Sequence, residues 1–402
     1  LAAPKLKDRN FKLFYGTMFV SAIIPSLNYI FPFLPGSFLG FNWSGWAWIT
    51  MLVVTLVALL SRGKVNFPII IWLPWIAYIF LYVIIDFSFF GFQLTLQYFL
   101  PILVGIQASK FVYDSNRIKW IFYWFVRLCV LYLILFAVGH LFRGGFTASI
   151  AAVPMLLSIL EYILLAVYFK TKRVKLLFFV VILFLVPIID VTRMGMFVFL
   201  IGFVFHFGNS NFLSKLLYSV LGIALALVLF NTQAFQEKTF NEGSGELSDL
   251  SINHYSNDKL NNSGRTGLLD ALDAGLKENV VFGNGPRADL EALDFMGSGL
   301  TEVHNDYQSV RYNYGQFGLS LLLVGLIGNF ISVFLIKKKA EIIQFLRSII
   351  LTLFIGFALF MYSDNILKYT VFFPNIFFAL IGIMYSLKSS KSNDIQLKSI
   401  YG

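Results

Sequence analysis

Long apolar runs, each about the length of a bilayer crossing, recur along almost the whole chain, and nothing constrains its fold more strongly. A helix that spans the hydrocarbon core needs roughly 20 mostly apolar residues. Twelve such segments can be read, at about 13–33, 43–60, 67–85, 92–108, 118–141, 147–169, 174–190, 192–207, 213–231, 313–336, 342–362 and 369–386. Of the 402 residues, 58% are hydrophobic and 13% charged, against roughly 45–50% and about 25% in a soluble domain. One water-soluble core cannot hide that much apolar surface. Within lipid every backbone polar group must be satisfied inside the protein, and apolar runs of this length do so as helices, so the expected fold is an all-α integral membrane protein of about 12 transmembrane helices. The first run follows basic residues but has no small-residue cleavage site and precedes further spans, so it reads as a span and not as a signal peptide. Cys129 is the single cysteine, which leaves neither a disulfide framework nor a cysteine-rich metal site.

The distribution of Lys and Arg tests the span count, because a wrong number of spans would scramble their alternation between successive loops. One side collects Lys5, Lys7, Arg9, Lys12, Arg62, Lys64, Lys110, Arg117, Lys119, the 170–175 group, Lys215, Lys337 to Lys339, Lys388, Lys391 and Lys398. The other side has Arg143, Arg193 and Lys368, with Lys238, Lys259, Arg265, Lys277, Arg287 and Arg311 in one long loop. Both termini are therefore expected in the cytoplasm and the long loop outside. The net charge of +10 is mostly this topology signal, so no nucleic-acid partner is implied. Arg127 and Glu161 fall inside spans five and six at a similar depth, roughly 12–14 Å at 1.5 Å per residue, and an ion pair between them is expected, since an unpaired charge at that depth is costly. Arg347 is expected to snorkel to the cytoplasmic surface.

Three regions follow: residues 1–231 with spans one to nine, 232–312 as the outward loop, and 313–402 with spans ten to twelve and a cytoplasmic tail. The loop begins with a turn-rich stretch, 242–263, rich in Gly, Ser and Asn. A helix over about 266–278 follows, capped by Ser263 or Thr266, with Leu268, Leu269, Leu272 and Leu276 as its apolar stripe. The Gly283-Asn284-Gly285 sequence reads as a tight turn, and a second helix is expected over 288–296. The segment Thr301-Glu302-Val303-His304-Asn305-Asp306-Tyr307 then leads into span ten. If it is helical, His304, Gln308 and Arg311 share one face.

Among the histidines, His206 lies at a cytoplasmic span end, His140 reads as an interfacial anchor and His254 as solvent-exposed. His304 stands apart because polar and basic neighbours surround it at the mouth of a span. Arg193, just after Asp190, suits a capping or interfacial role. There is no HExxH, no cysteine pair and no Asp-x-Asp in the outward loops. Gly283-Asn284-Gly285 lacks the Lys-Ser/Thr of a Walker loop, and no Gly-x-Ser-x-Gly elbow occurs. Hydrolases and ATP-driven pumps are thereby disfavoured.

The architecture and motifs together resemble the bacterial O-antigen polymerase and O-antigen ligase superfamily. The likeness rests on about twelve spans with one large loop near the C-terminal third, Thr192-Arg193-Met194-Gly195 at a span's outer end, and Ser263-Gly264-Arg265-Thr266 opening a loop helix. A Gly-x-Gly turn, then His304-Asn305-x-Tyr307 with Gly315 and Gly318, complete it. It covers the topology of the whole chain but specific residues only from about 190 to 320. The resemblance implies a fold like the C-type glycosyltransferases, an inner-membrane location with the loop and active site facing the periplasm, and an inverting, metal-independent glycosyl transfer without a cofactor.

Donor and acceptor would be undecaprenyl diphosphate-linked oligosaccharides among membrane lipids, and a chain-length regulator protein would be a further partner. Carried over by position, Arg193 and Arg265 would contact the donor diphosphate, with Arg287 and Arg311 as further phosphate or glycan contacts. His304 would be the base that takes the acceptor hydroxyl's proton, and Glu302, Asp306 and Tyr307 would orient it or bind sugar. Guanidinium groups suit a departing diphosphate, and an imidazole suits proton abstraction from a sugar hydroxyl. A polymerase extending a lipid-linked repeat, as in lipopolysaccharide or other polysaccharide biosynthesis, is the favoured reading. A ligase whose acceptor is lipid A core is the nearest alternative. A polysaccharide flippase or transporter is a third, disfavoured by the few intramembrane charges and the long outer loop.

Overall fold

The computed structural model describes residues 4, 6, 8–142, 152–207, 212–250, 261, 265–277, 279–295, 302–337 and 340–390. The readings of Arg143, His254, Lys259, Ser263 and the C-terminal lysines beyond 390 lie outside the described residues, as do the side chains of His206, Arg265 and Thr266. The described residues form α1 (Arg9–Ile23), α2 (Leu27–Ile30), a short hairpin of β1 (Ser37–Phe38) and β2 (Phe41–Asn42), then α3 (Trp43–Leu59), α4 (Leu73–Ile85), α5 (Phe89–Lys110), α6 (Ser115–Phe142), α7 (Ala152–Thr171), α8 (Lys175–Ile189), α9 (Arg193–Phe207) and α10 (Phe212–Phe230). The loop carries α11 (Gln233–Thr239), α12 (Arg265–Leu276) and α13 (Ala288–Phe295). The chain then returns through α14 (Asp306–Phe334), α15 (Glu341–Ser363) and α16 (Pro374–Ser389).

Six helical stretches among the described residues are long and apolar enough to cross a bilayer: α1 continued through α2, α5, α6, α7, α14 and α15. The 20 to 29 residues of each correspond to a rise of roughly 30 Å or more. The chain is thus an all-α, multi-pass membrane protein. The other six apolar segments carry α3, α4, α8, α9, α10 and α16. Side-chain caps start several helices: Asp8 accepts from Phe11 N (3.1 Å), Asn42 from Gly45 N (2.7 Å) and Ser88 from Gly91 N (3.0 Å), satisfying N–H groups that have no partner within the helix.

Small residues let the central helices touch. A Cβ placed on Gly382 of α16 would lie 2.3 Å from Gly105 O of α5, a backbone approach that favours packing where lipid supplies no hydrophobic drive between helices. At one end of the bundle, Lys110 Nζ donates to Leu59 O and Ser61 O (2.7 and 2.6 Å), Arg117 pairs with Asp8 (2.7 Å) and Lys170 with Glu341 (3.0 Å). The loop elements pack at the opposite end, here termed the loop face.

The expected Arg127–Glu161 pair does not form. The Arg127 guanidinium stacks on its own helix, 4.2 Å from the Tyr123 ring centre and 5.3 Å from that of Trp124. The reason is rotational: α6 buries Phe125, Leu128, Cys129, Tyr132 and Phe136, and Arg127 lies off that stripe. Glu161 is fully buried in α7, and neither carboxyl oxygen has a hydrogen-bond partner among the described residues. Arg347 donates to Ile336 O (3.2 Å) at the end of α14, closing a helix terminus instead of only reaching toward water.

Candidate functional site at the loop face

The loop is anchored through a break in α14. The lead-in is not helical up to His304: Asn305 caps the helix, accepting from Gln308 N (3.1 Å), and α14 begins at Asp306. His304 has φ +52, so it sits in a bend outside the helix and does not share a helical face with Gln308 and Arg311. Those two do meet, with Arg311 Nη1 donating to Gln308 Oε1 (3.3 Å).

Further along, Gly315 adopts φ 71, ψ −178 and kinks the helix, a backbone conformation essentially confined to glycine. The kink frees backbone groups that a membrane protein cannot leave unpaired, and residues 280–285 take them up. Asn284 N and Gly285 N donate to Tyr312 O and Asn313 O (both 2.9 Å), while Gln316 N and Phe317 N donate to Val280 O and Val281 O (2.9 and 3.0 Å). The approach is so close that a Cβ on Gly315 would lie 2.1 Å from Val281 O, and one on Gly283 2.4 Å from Gly315 N. From α4, Tyr78 donates to Tyr314 O (2.9 Å) and Tyr82 to Phe282 O. The glycine turn read from the sequence therefore docks onto the kink through its backbone.

A small apolar core of Leu268, Leu272, Leu293 and Val303 joins α12 and α13 to the segment before α14, as the leucine stripe predicts. Arg311 ties the same unit to α14 through Asp273 (2.8 Å). With these elements held, the charged side chains form a connected network. Arg287, at φ +73, forks onto Glu302 with bonds of 3.0 and 2.9 Å, the bidentate geometry that guanidinium and carboxylate favour. Lys368, from the connection between α15 and α16, contacts Glu302 and lies 3.5 Å from Asp289.

Asp289 is buried and accepts from Ser309 Oγ (2.5 Å), while its own N–H donates to Asn313 Oδ1 (2.9 Å). Burial works to raise the Asp289 pKa, but Lys368, Arg287 and the Ser309 and Asn313 hydrogen bonds outweigh it and hold the carboxyl below its ordinary value. Burial likewise disfavours the Arg287 cation, yet Glu302 holds its pKa above the ordinary arginine value. Asp306 is fully buried and accepts from Leu367 N (2.9 Å), and Tyr307 donates to Ala358 O (3.0 Å). Neither Glu302 nor Asp306 is the group that meets His304. That partner is Asp364, the residue after α15, whose Oδ1 lies 3.3 Å from His304 Nδ1. In the tautomer in which His304 Nδ1 donates to Asp364 Oδ1, Nε2 is the nitrogen left to accept a proton.

A second polar corner lies at the α8–α9 turn. His140 Nε2 is 2.9 Å from Asp190 Oδ1, Lys238 Nζ donates to Asp190 O (2.7 Å), and Arg193 Nη2 reaches Asn261 O (3.5 Å). Asn261 N in turn donates to Thr239 O (2.8 Å), which sets Arg193 beside the end of α11. His140 thus serves as more than an interfacial anchor. Partial burial lowers the Lys238 pKa, Asp190 opposes this and Arg193 adds to the lowering.

The structure thus gathers Arg287, Glu302, His304 and Asp306 around the start of α14, ties Arg311 to α12, and sets Arg193 in a separate corner. Asp364, Lys368, Asp289 and Lys238 were not identified as site residues from sequence. The available signal was positional: Asp364 and Lys368 follow an apolar run at its outer end, where polar residues otherwise read as a simple turn. No protein-family model and no curated protein matches this chain.

Proposed function

We propose that the protein is a membrane-embedded glycosyltransferase of the O-antigen polymerase kind, with about twelve spans, its loop face toward the periplasm and its termini in the cytoplasm. The observation that carries the reading is the His304–Asp364 pair: a partly exposed imidazole whose Nδ1 lies against a carboxyl group, just before the start of the long helix α14. His304 Nε2 takes the proton of an acceptor sugar hydroxyl while Asp364 stabilises the imidazolium that forms. The hydroxyl oxygen attacks the anomeric carbon of the donor, and the bond from that carbon to the diphosphate oxygen breaks on the opposite face, inverting the centre. The departing undecaprenyl diphosphate keeps the electron pair, and outward cations, Arg193 and Arg265 among them, stabilise its charge.

The test is to supply the purified protein with undecaprenyl diphosphate-linked repeat units in the presence of EDTA. Chain growth from repeats alone is the expected outcome. Transfer only after lipid A core is added would make it a ligase, and no transfer under either condition would overturn the enzyme reading.

A further inference from the structure

No charged residue occurs between Lys12 and Arg62, and the β1–β2 hairpin sits in the middle of that stretch. α1 starts beside the Asp8–Arg117 pair, and α3 ends where Leu59 O accepts from Lys110, both at the end of the bundle away from the loop. The hairpin joins the other ends of these helices, which puts it at the loop face. The side chains it presents are large and apolar: Phe31 and Phe38 are exposed, Phe33 is 80% exposed and Leu39 73%.

The turn residues suit water poorly. Ser37 pairs with Asn42 and Phe38 with Phe41, leaving Leu39 and Gly40 as the two-residue turn, at φ +49 and +81. A turn with both central residues at positive φ favours Asn-Gly or Asp-Gly. Leucine in that place costs backbone energy that asparagine would largely avoid, and water gives nothing back for an exposed leucine. Lipid does, by taking up the side chain.

The polar groups of the hairpin are arranged for the same solvent. Pro32 and Pro35 have no N–H to satisfy. Trp43 Nε1 donates to Pro35 O and Trp46 Nε1 to Phe38 O (both 2.8 Å), so each indole pairs a hairpin carbonyl and uses up its own polar atom. In water those carbonyls would need no such partner, whereas in the bilayer an unpaired one is costly. The length of α3 sets the depth. Its 17 residues rise about 25 Å, short of a hydrocarbon core of roughly 30 Å, and the uncharged hairpin continues its apolar surface.

We infer that the hairpin of residues 31–42 is embedded in the loop-face leaflet, with Leu39 and Phe33 among the lipid chains, and completes the short α3 span. The partner of this surface is membrane lipid, not a second copy of the chain. The inference is independent of the glycosyltransferase reading.

Leu39→Cys and, separately, Phe33→Cys would be labelled with the environment-sensitive fluorophore NBD in a Cys129→Ala background. The full chain would then be placed in phosphatidylcholine nanodiscs and exposed either to a phosphatidylcholine carrying a nitroxide on its acyl chain or to aqueous iodide. Val324→Cys, on the exposed side of α14, marks lipid, and Glu242→Cys, exposed in the loop, marks water. Both hairpin probes should behave as Val324 does, quenched by the nitroxide and shielded from iodide. Leu39→Asp, which suits the turn but not lipid, should open the Phe33 probe to iodide and shift its emission to the red; unchanged shielding would overturn the role given to the tip. Iodide quenching of the hairpin probes as strong as at Glu242 would put the hairpin in water and overturn the inference. Shielding from both quenchers would overturn it too, because protein would then cover the surface, and disulfide cross-linking of unlabelled Leu39→Cys between copies would identify that cover as a dimer.

Discussion

His304 and Asp364 stand 60 residues apart in sequence, and their side chains meet at 3.3 Å, Nδ1 to Oδ1. The contact joins the segment before α14 to the end of α15, so the imidazole is oriented by the packing of two long helices and not by its own loop.

In the proposed transfer, His304→Ala should lower kcat about 10²–10⁴-fold, the usual contribution of a general base. Asp364→Asn, which keeps the shape of the side chain, should lower kcat at least about tenfold with the KM for acceptor little changed. Initial rates over a series of acceptor concentrations check both. Full activity in His304→Ala would remove the assignment.

Gly315 tolerates no side chain, because its Cβ would overlap Val281 O at 2.1 Å and its φ of +71 disfavours one. Gly315→Ala should therefore separate residues 280–285 from the kink and destabilise the protein by about 1–3 kcal/mol from backbone strain alone. Thermal unfolding in detergent, with the exposed Ser320→Ala as a control, measures this.

Asp289 contributes a pH dependence of known sign. Its folded pKa lies below the ordinary carboxylate value, which is about 3.9, so between the two the unfolded chain binds more protons than the folded one. Its contribution is complete above the ordinary value and is lost as pH falls through the folded pKa. Melting temperature followed downward from pH 6 should drop across that window, and the drop should be shallower in Asp289→Asn.

Glu161 is fully buried with both carboxyl oxygens unpaired among the described residues. Because burying an unpaired ionisable group is costly, Glu161→Gln should leave the melting temperature unchanged or raise it. Arg127→Met should have no larger effect than the loss of an exposed stacking contact. A marked loss in Glu161→Gln would show that the carboxyl has a partner in the bilayer.

Most of the helices were legible because their signal is local. A run of apolar residues must become a helix in lipid whatever surrounds it, and the leucines at 268, 272 and 276 announce α12 by spacing alone. The bend at His304 was not legible, since Asn305 and Asp306 can each cap a helix and only packing against Leu367 and Asp364 selects Asn305. The missing Arg127–Glu161 pair has the same origin: equal depth says nothing of which way each helix is turned.

The sequence by itself determined that this chain is a helical membrane protein and where most of its apolar helices lie, although α14 begins at Asp306 and not near 313, and α4 at Leu73 and not near 67. Those properties follow from hydrophobic length, caps and glycine, all short-range. Tertiary structure alone decided which charges meet. Arg287 went to Glu302, Arg311 to Asp273, His304 to Asp364 and His140 to Asp190. Such choices depend on helix rotation and on the Gly315 kink, which bring together residues that no spacing along the chain connects.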